Sequence, residues 1–149
     1  MTNWKQTLIR EAKEKEMCSD YFKSLSLCSD KITAIELYMS NPGWALKKDY
    51  PSFKVLREEF NLYGREGLYV DKRFAEERLD SRLYYVLHNC KGVIRSGLNV
   101  EMAVIPVFYV ANGSKICFMS DDNVQIDIHV YSGSVVHTDG NAKFKILRH

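Results

Sequence analysis

The chain has little that would tie it to a membrane, an oxidising compartment or a polyanion. None of its 149 residues belong to a run near the roughly 18–20 consecutive apolar residues that a membrane span requires. The start, Met1-Thr2-Asn3-Trp4-Lys5-Gln6, has no basic stretch leading into an apolar one, which argues against a secretory signal. Cysteine is scarce: Cys18, Cys28, Cys90 and Cys117, with no pair at CxxC spacing. They read as reduced, mostly buried thiols, a disulfide framework being the weaker reading. A soluble cytoplasmic protein with no membrane partner is the expectation.

An excess of one charge is also lacking. Lys and Arg number 21 against 19 Asp and Glu, a net charge of +2. Residues 1–80 hold 14 of each sign, and residues 81–149 hold 7 basic and 5 acidic side chains. Neither half carries the cationic surplus that a phosphate backbone attracts, so nucleic acid is not an expected partner. No GxGxxG, GxxxxGK[ST], GxSxG or HExxH motif occurs. No cofactor and no small-molecule ligand are therefore expected.

What is present divides the chain in two. The first half is charge-rich with helical periodicity. Trp4, Leu8, Ile9 and Ala12 form one apolar stripe that Thr2 or Asn3 can cap. The Tyr21, Phe22 and Leu25 segment predicts a second turn or short helix. Ser29 suits the N-cap of a third, with Asp30 in its first turn and Ile32, Ile35 and Met39 on its inner face. Asn41-Pro42-Gly43 stops that helix, and Trp44, Ala45 and Leu46 follow as a buried plug. Pro51 can open another helix, with Phe53, Leu56 and Phe60 inward and Gly64 as its terminator. Gly67–Val70 reads as a short strand, and Asp71 as the cap of a helical turn through Phe74 or the start of a charged loop.

From residue 82 the periodicity changes to β. Three segments resemble one another: Asn99-Val100-Glu101-Met102-Ala103-Val104, Asn123-Val124-Gln125-Ile126-Asp127-Ile128 and Asn141-Ala142-Lys143-Phe144-Lys145-Ile146. A short β run ending in a turn precedes each, at Gly92–Gly97, Lys115–Ser120 and Ser134–Thr138. An antiparallel meander and a short β-roll or β-helix both produce such a pattern. The run Val104–Ala111 reads as a strand buried on both faces, with Pro106 at an edge, a bulge or a strand start. The fold class is α+β: one domain, 1–149, whose helical subregion, 1–80, packs on a β-repeat subregion, 81–149. Expected core residues are Trp4, Leu8, Ile35, Trp44, Phe53, Leu56, Val86, Ile94, Ile105, Ile116 and Ile128.

The most chemical-looking cluster is His88-Asn89-Cys90. A thiol beside an imidazole can form a nucleophile–base pair, but no third orienting group is visible, and a buried thiol near a hydrogen-bonded histidine is the plainer reading. His129, His137 and Asp139 can join them as metal ligands only if the fold converges them, and their spacing matches no closed zinc pattern. Hence no catalytic, cofactor or metal residue is assigned. His88, Cys90, His129, His137 and Asp139 are the candidates should the chain be a thiol or metal enzyme. Asp121-Asp122-Asn123 lacks the later ligands of a calcium loop and reads as a turn. Among the nine tyrosines, Tyr85, Tyr109 and Tyr131 are candidates for protein contact, since tyrosine is enriched where partners bind.

Two stretches carry a resemblance: Asn41-Pro42-Gly43-Trp44-Ala45-Leu46 on to Tyr50-Pro51-Ser52-Phe53, and His88-Asn89-Cys90-Lys91-Gly92-Val93-Ile94 on through Ile105–Asn112. Together they resemble an uncharacterised family of short proteins from bacterial phages and integrated mobile elements. The resemblance covers the chain from about residue 30 onward and brings no activity or site with it. It implies a virion component or a host-interaction factor, in the host cytoplasm or the virion. The leading expectation is a non-enzymatic structural or protein-interaction protein that associates with itself or another protein. A small thiol or metal enzyme is the rival, and a nucleic-acid-binding accessory factor stands lower.

Overall fold

The computed structural model describes residues 3–149. Residues up to Leu68 form one compact unit and Tyr69–His149 a second.

The first unit holds five short helices: α1 (Trp4–Glu14), α2 (Ser19–Leu27), α3 (Lys31–Met39), α4 (Pro42–Lys47) and α5 (Phe53–Glu59). Helices this short are marginal alone, so their ends and their buried faces decide them. Asn3 Oδ1 accepts from the amides of Lys5 and Gln6 and caps α1; Thr2, the other expected cap, lies outside the described residues. Asp30, not Ser29, caps α3, its carboxylate accepting the Thr33 amide at 2.8 Å. Ser29 is the weaker choice because only the residue next to the first helical turn can reach that amide. Pro42 and Trp44 belong to α4 rather than to a turn and plug; proline at the first helical position needs no amide partner. Ser52 caps α5, following a cis Tyr50–Pro51 bond. That helix ends before Phe60, and Gly64 opens a 3-10 turn, Gly64–Glu66, instead of terminating it.

Buried Leu8, Ala12, Leu25, Ile35, Tyr38, Leu56 and Phe60 line the interior of this unit. Trp4, Trp44 and Phe53 are only half-buried, and Ile32 points outward. Two polar ties cross the interior. The Tyr50 hydroxyl donates to the Leu8 carbonyl, and Glu11 accepts from both the amide and the hydroxyl of Ser52.

The second unit is a parallel β-solenoid of about four turns. Strands β1 (Leu68–Val70), β3 (Tyr84–His88), β5 (Val107–Ala111), β7 (Gln125–Val130) and β9 (Lys143–Arg148) make one sheet in that order. Strands β2 (Arg73–Arg78), β4 (Lys91–Arg95), β6 (Lys115–Met119) and β8 (Val135–Asp139) make the other. The paired strands from β2 to β9 all run parallel, so the antiparallel meander is not what forms. The physical reason lies in the turns. Each crosses to the opposite sheet, and a strand meets its neighbour only after two such corners.

The short strand expected at Gly67–Val70 is β1, so strand begins before residue 82. Asp71 is a left-handed corner (φ 57°), and the segment beyond it is β2, neither a helical turn nor a loop. The copies at Asn123 and Asn141 align as the repeat sets them, Gln125 opposite Lys143, while in the other sheet Lys115 pairs with Lys91 and Val135 and not with the run starts Gly92 and Ser134. Its Asn99–Val104 copy is not a strand of the ladder. Phe108 is what faces Ile128, and Asn99–Val104 closes a small antiparallel bridge on a projecting loop. Pro106 sits immediately before β5, the strand-start option.

Alternate side chains of both sheets fill the interior. Phe74, Leu87, Ile94, Phe108, Val110, Ile116, Phe118, Ile126 and Ile128 are all buried there, with the Phe108 and Phe118 rings 4.7 Å apart. Full burial of such a side chain contributes about 1.5–3 kcal/mol. Ile105 is half-buried against the same core, and Val86 is buried. Past its first residue β5 is buried on both faces, as its unbroken apolar run requires.

Candidate functional site

His88 and Cys90 flank the corner from β3 to β4, which turns at Asn89 in the left-handed region (φ 52°). Asparagine tolerates that conformation better than other side chains with a Cβ. The two neighbours then take different surroundings. The Cys90 thiol lies 3.5 Å from the carbonyls of Tyr69 and of His88. The His88 ring instead shares a 2.7 Å hydrogen bond between its Nδ1 and Asn112 Nδ2. An amide NH2 only donates, so Nδ1 accepts and the proton of the neutral ring sits on Nε2. Burial pushes this imidazole down to about 4, against the opposing pull of Asp71, and pushes the Cys90 thiol up to about 11. The thiol is thus neutral near pH 7, and its hydrogen-bond partners are carbonyl oxygens.

The residue before the next strand, Cys90 here, is a serine on the next two turns, Ser114 before β6 and Ser134 before β8. The Ser114 hydroxyl accepts the Cys90 amide and donates to the Ala111 carbonyl; the Ser134 hydroxyl accepts the Ser114 amide. Cys90 and Ser114 are fully buried, so each hydroxyl serves an amide that has no access to water. His88, Cys90 and this ladder read as the structural spine of one solenoid edge.

The remaining candidates separate. His137 and Asp139 lie on β8 in one sheet, and His129 lies on β7 in the other. Among the described residues no three His, Cys, Asp or Glu side chains come together around a metal-sized space. Asp121-Asp122-Asn123 is a turn whose Asp122 carboxylate accepts the Leu98 amide.

What the sheet containing β7 does assemble is a row of rings. Tyr109 stacks on His129 at 4.6 Å, and Tyr131 stacks on His149 at 4.7 Å. His129 Nδ1 and His149 Nε2 are 2.8 Å apart, within hydrogen-bond distance. Tyr84 leans on Tyr109 at 6.0 Å. Burial lowers the His129 imidazole, with His149 adding to the effect and Asp127 opposing it; burial also raises the Tyr109 phenol to about 12. Rings stacked on one another spend their faces on neighbours, so the row offers edges, hydroxyls and ring nitrogens. That suits a hydrogen-bonding protein surface better than base stacking, which needs an open face. Of the tyrosines expected at a surface, Tyr131 is half-buried in this row, and Tyr109, also in the row, is buried at 9% exposure. Tyr85 is inside, stacked on Phe108, with its hydroxyl accepting the Ser81 amide.

Sequence reasoning missed the projecting loop. The register spacing is 18 residues from Arg73 to Lys91, 24 from Lys91 to Lys115 and 20 from Lys115 to Val135. The longest turn carries the loop between Ser96 and Val107. Three apolar side chains on it face solvent: Leu98 at 39%, Val100 at 80% and Met102 at 54% exposure. The loop is built, not slack. Asn99 and Val104 exchange backbone hydrogen bonds, and the Met102 amide donates to the Asn99 side chain. The signal was the unequal spacing of the repeat; treating Asn99–Val104 as a strand concealed it.

No protein-family model, curated protein or solved structure matches this chain.

Proposed function

We propose that the chain is a non-enzymatic structural or protein-interaction protein of a phage or mobile element, acting in the host cytoplasm or the virion through its solenoid unit. The observation that carries this reading is the projecting loop with exposed Leu98, Val100 and Met102. Insertions in solenoid turns map to loops that often form the binding face. Exposed apolar side chains on an ordered loop add nothing to the core, and their burial against a partner contributes roughly 25 cal/mol per Å². The ring row adds half-buried His129 and Tyr131 and exposed His149, hydrogen-bonding groups of the kind found in interface rims.

The first partner to test is a second copy. Light scattering across a concentration series should give a mass that rises above one chain. A Val100→Asp, Met102→Asp double variant should stay at one chain with an unchanged melting curve. A wild-type mass of one chain throughout removes self-association. A monomer that then binds no protein from its source lysate removes the interaction reading.

A further inference from the structure

From a separate region, and independently of the solenoid reading, we infer that the helical unit binds a small organic cation of the quaternary-ammonium class in a cavity formed by α2, α3 and α4. The cavity has a volume of about 300 Å³. Tyr21 from α2, Tyr38 from α3 and Trp44 from α4 all line it, as do Asp20 and Asn41. The Tyr21 and Trp44 rings meet at 62° with centroids 5.7 Å apart, which makes a concave aromatic corner instead of a flat stack.

The lining selects by charge. Among the described residues it contains one carboxylate, Asp20, and no lysine, arginine or histidine. An anion would face that carboxylate and the negative ring faces together. A neutral hydrocarbon would cover Asp20 and Asn41 without serving them, at a desolvation cost. An alkylated ammonium meets both demands: its methyl groups fill apolar space, its charge is attracted to ring faces, and the carboxylate balances it. A bare metal ion is a poor fit, because a single carboxylate beside aromatic rings offers too few oxygen ligands. The lining residues are spread over Cys18–Ala45 in three helices, which is why no linear motif reveals them.

Two sources present this chemistry: a free ion such as choline, and a trimethylated lysine in a peptide. The full-length chain should be titrated by NMR with choline, with its neutral isostere 3,3-dimethyl-1-butanol, and with a lysine peptide in trimethylated and unmodified forms. Saturable shifts at Trp44 and Tyr38 are expected with choline, with the trimethylated peptide or with both, and the tighter of the two identifies the source. The neutral alcohol should bind at least about tenfold more weakly, a difference of 1.4 kcal/mol. Asp20→Asn, at an exposed position, should weaken cation binding severalfold and leave the alcohol unaffected. Trp44→Leu, which keeps apolar volume, should weaken it further. Equal affinity for choline and the alcohol, or no saturable shift with any cation up to about 50 mM, well above the millimolar range of weak sites, would overturn the inference. Retained cation binding in both variants would overturn it as well.

Discussion

The helix ends of one unit and the solenoid corners of the other satisfy their backbone polar groups differently. In the helical unit the caps are local: Asn3, Asp30 and Ser52 each serve amides two or three residues away. In the solenoid the partner is one turn of the spiral distant. Ser114 serves Cys90, Ser134 serves Ser114, and the hydroxyl of Ser96 donates to the Leu79 carbonyl. Local caps make each helix end separately replaceable. A ladder passes the consequences of one substitution to the turns on either side. The comparison teaches that small residues at solenoid corners matter more than their size suggests.

The largest expected effect breaks that comparison at a glycine. Gly92 has φ 131°, and a Cβ there would lie 1.9 Å from the Phe74 carbonyl oxygen on the adjacent strand. Gly92→Ala should cost about 4 kcal/mol or more, or prevent the solenoid from forming, because both backbone strain and overlap oppose it. Gly113 is the control: its φ is 80°, but nothing lies within 4 Å of a Cβ there. Gly113→Ala should cost only about 1–2 kcal/mol, the strain of the left-handed region. Chemical denaturation followed by hydrogen exchange will separate the two. A Gly92→Ala protein as stable as Gly113→Ala would show that β2 and β4 do not approach as described.

Acid should act on the solenoid through His88. Its folded imidazole is held to about 4 by burial, while an unfolded histidine titrates near 6.5. Between those values the unfolded chain binds more protons, so stability rises with pH. The contribution is complete above pH 6.5 and is lost as pH falls through 4, by roughly 3 kcal/mol across the window. His88→Asn should flatten that part of the stability curve, whatever it does at pH 7. An unchanged acid slope in the variant would mean that the native ring is accessible to protons.

The helices were legible because their signals are local. Apolar spacing located α1, α3 and α5, and Asn41-Pro42-Gly43 marked the end of α3, whereas Pro51 precedes the cap of α5 instead of opening the helix. Errors of one residue, such as Ser29 for Asp30, arise because several capping side chains sit side by side and only backbone geometry chooses among them. Phe53 was expected inside, yet Val55 and Leu56 form the buried face of α5, with Phe60 buried just past its end, and leave Phe53 partly exposed. In the β half, the repeat was legible but the direction of pairing was not. A corner and a hairpin use the same Asn, Gly and Ser residues, and only the paired partner distinguishes them. The ring row depends on register: Tyr109 and His129 are neighbours because β5 and β7 align them, and His149 joins through the last turn. The cavity of the helical unit depends on three helix directions, which no spacing rule supplies.

The smallest effects sharpen the contrast most, because one substitution can be made in both units. Ser114→Ala removes a fully buried hydroxyl and leaves the buried Cys90 amide without its acceptor. Stranding a buried donor costs about 1–3 kcal/mol, and the Ala111 carbonyl loses a donor too. Ser52→Ala removes a cap whose site is only half-buried, where water can replace the lost bond. Its cost should be about 1 kcal/mol, typical of an N-cap. The difference should also appear in where exchange increases. Ser114→Ala should expose amides of β4 and β6 together, whereas Ser52→Ala should affect the start of α5. A third variant tests the local argument by charge. Aspartate is as good an N-cap as serine in isolation. Here the Ser52 hydroxyl donates to Glu11 at 2.6 Å, and aspartate would set a second carboxylate against it. Ser52→Asp should therefore be less stable than Ser52→Ala at pH 7. Urea midpoints of the variants at pH 7 give both comparisons. If Ser52→Asp matched wild type at pH 7, Glu11 would not be held at the helix start, and the helical unit would be capped by Ser52 alone.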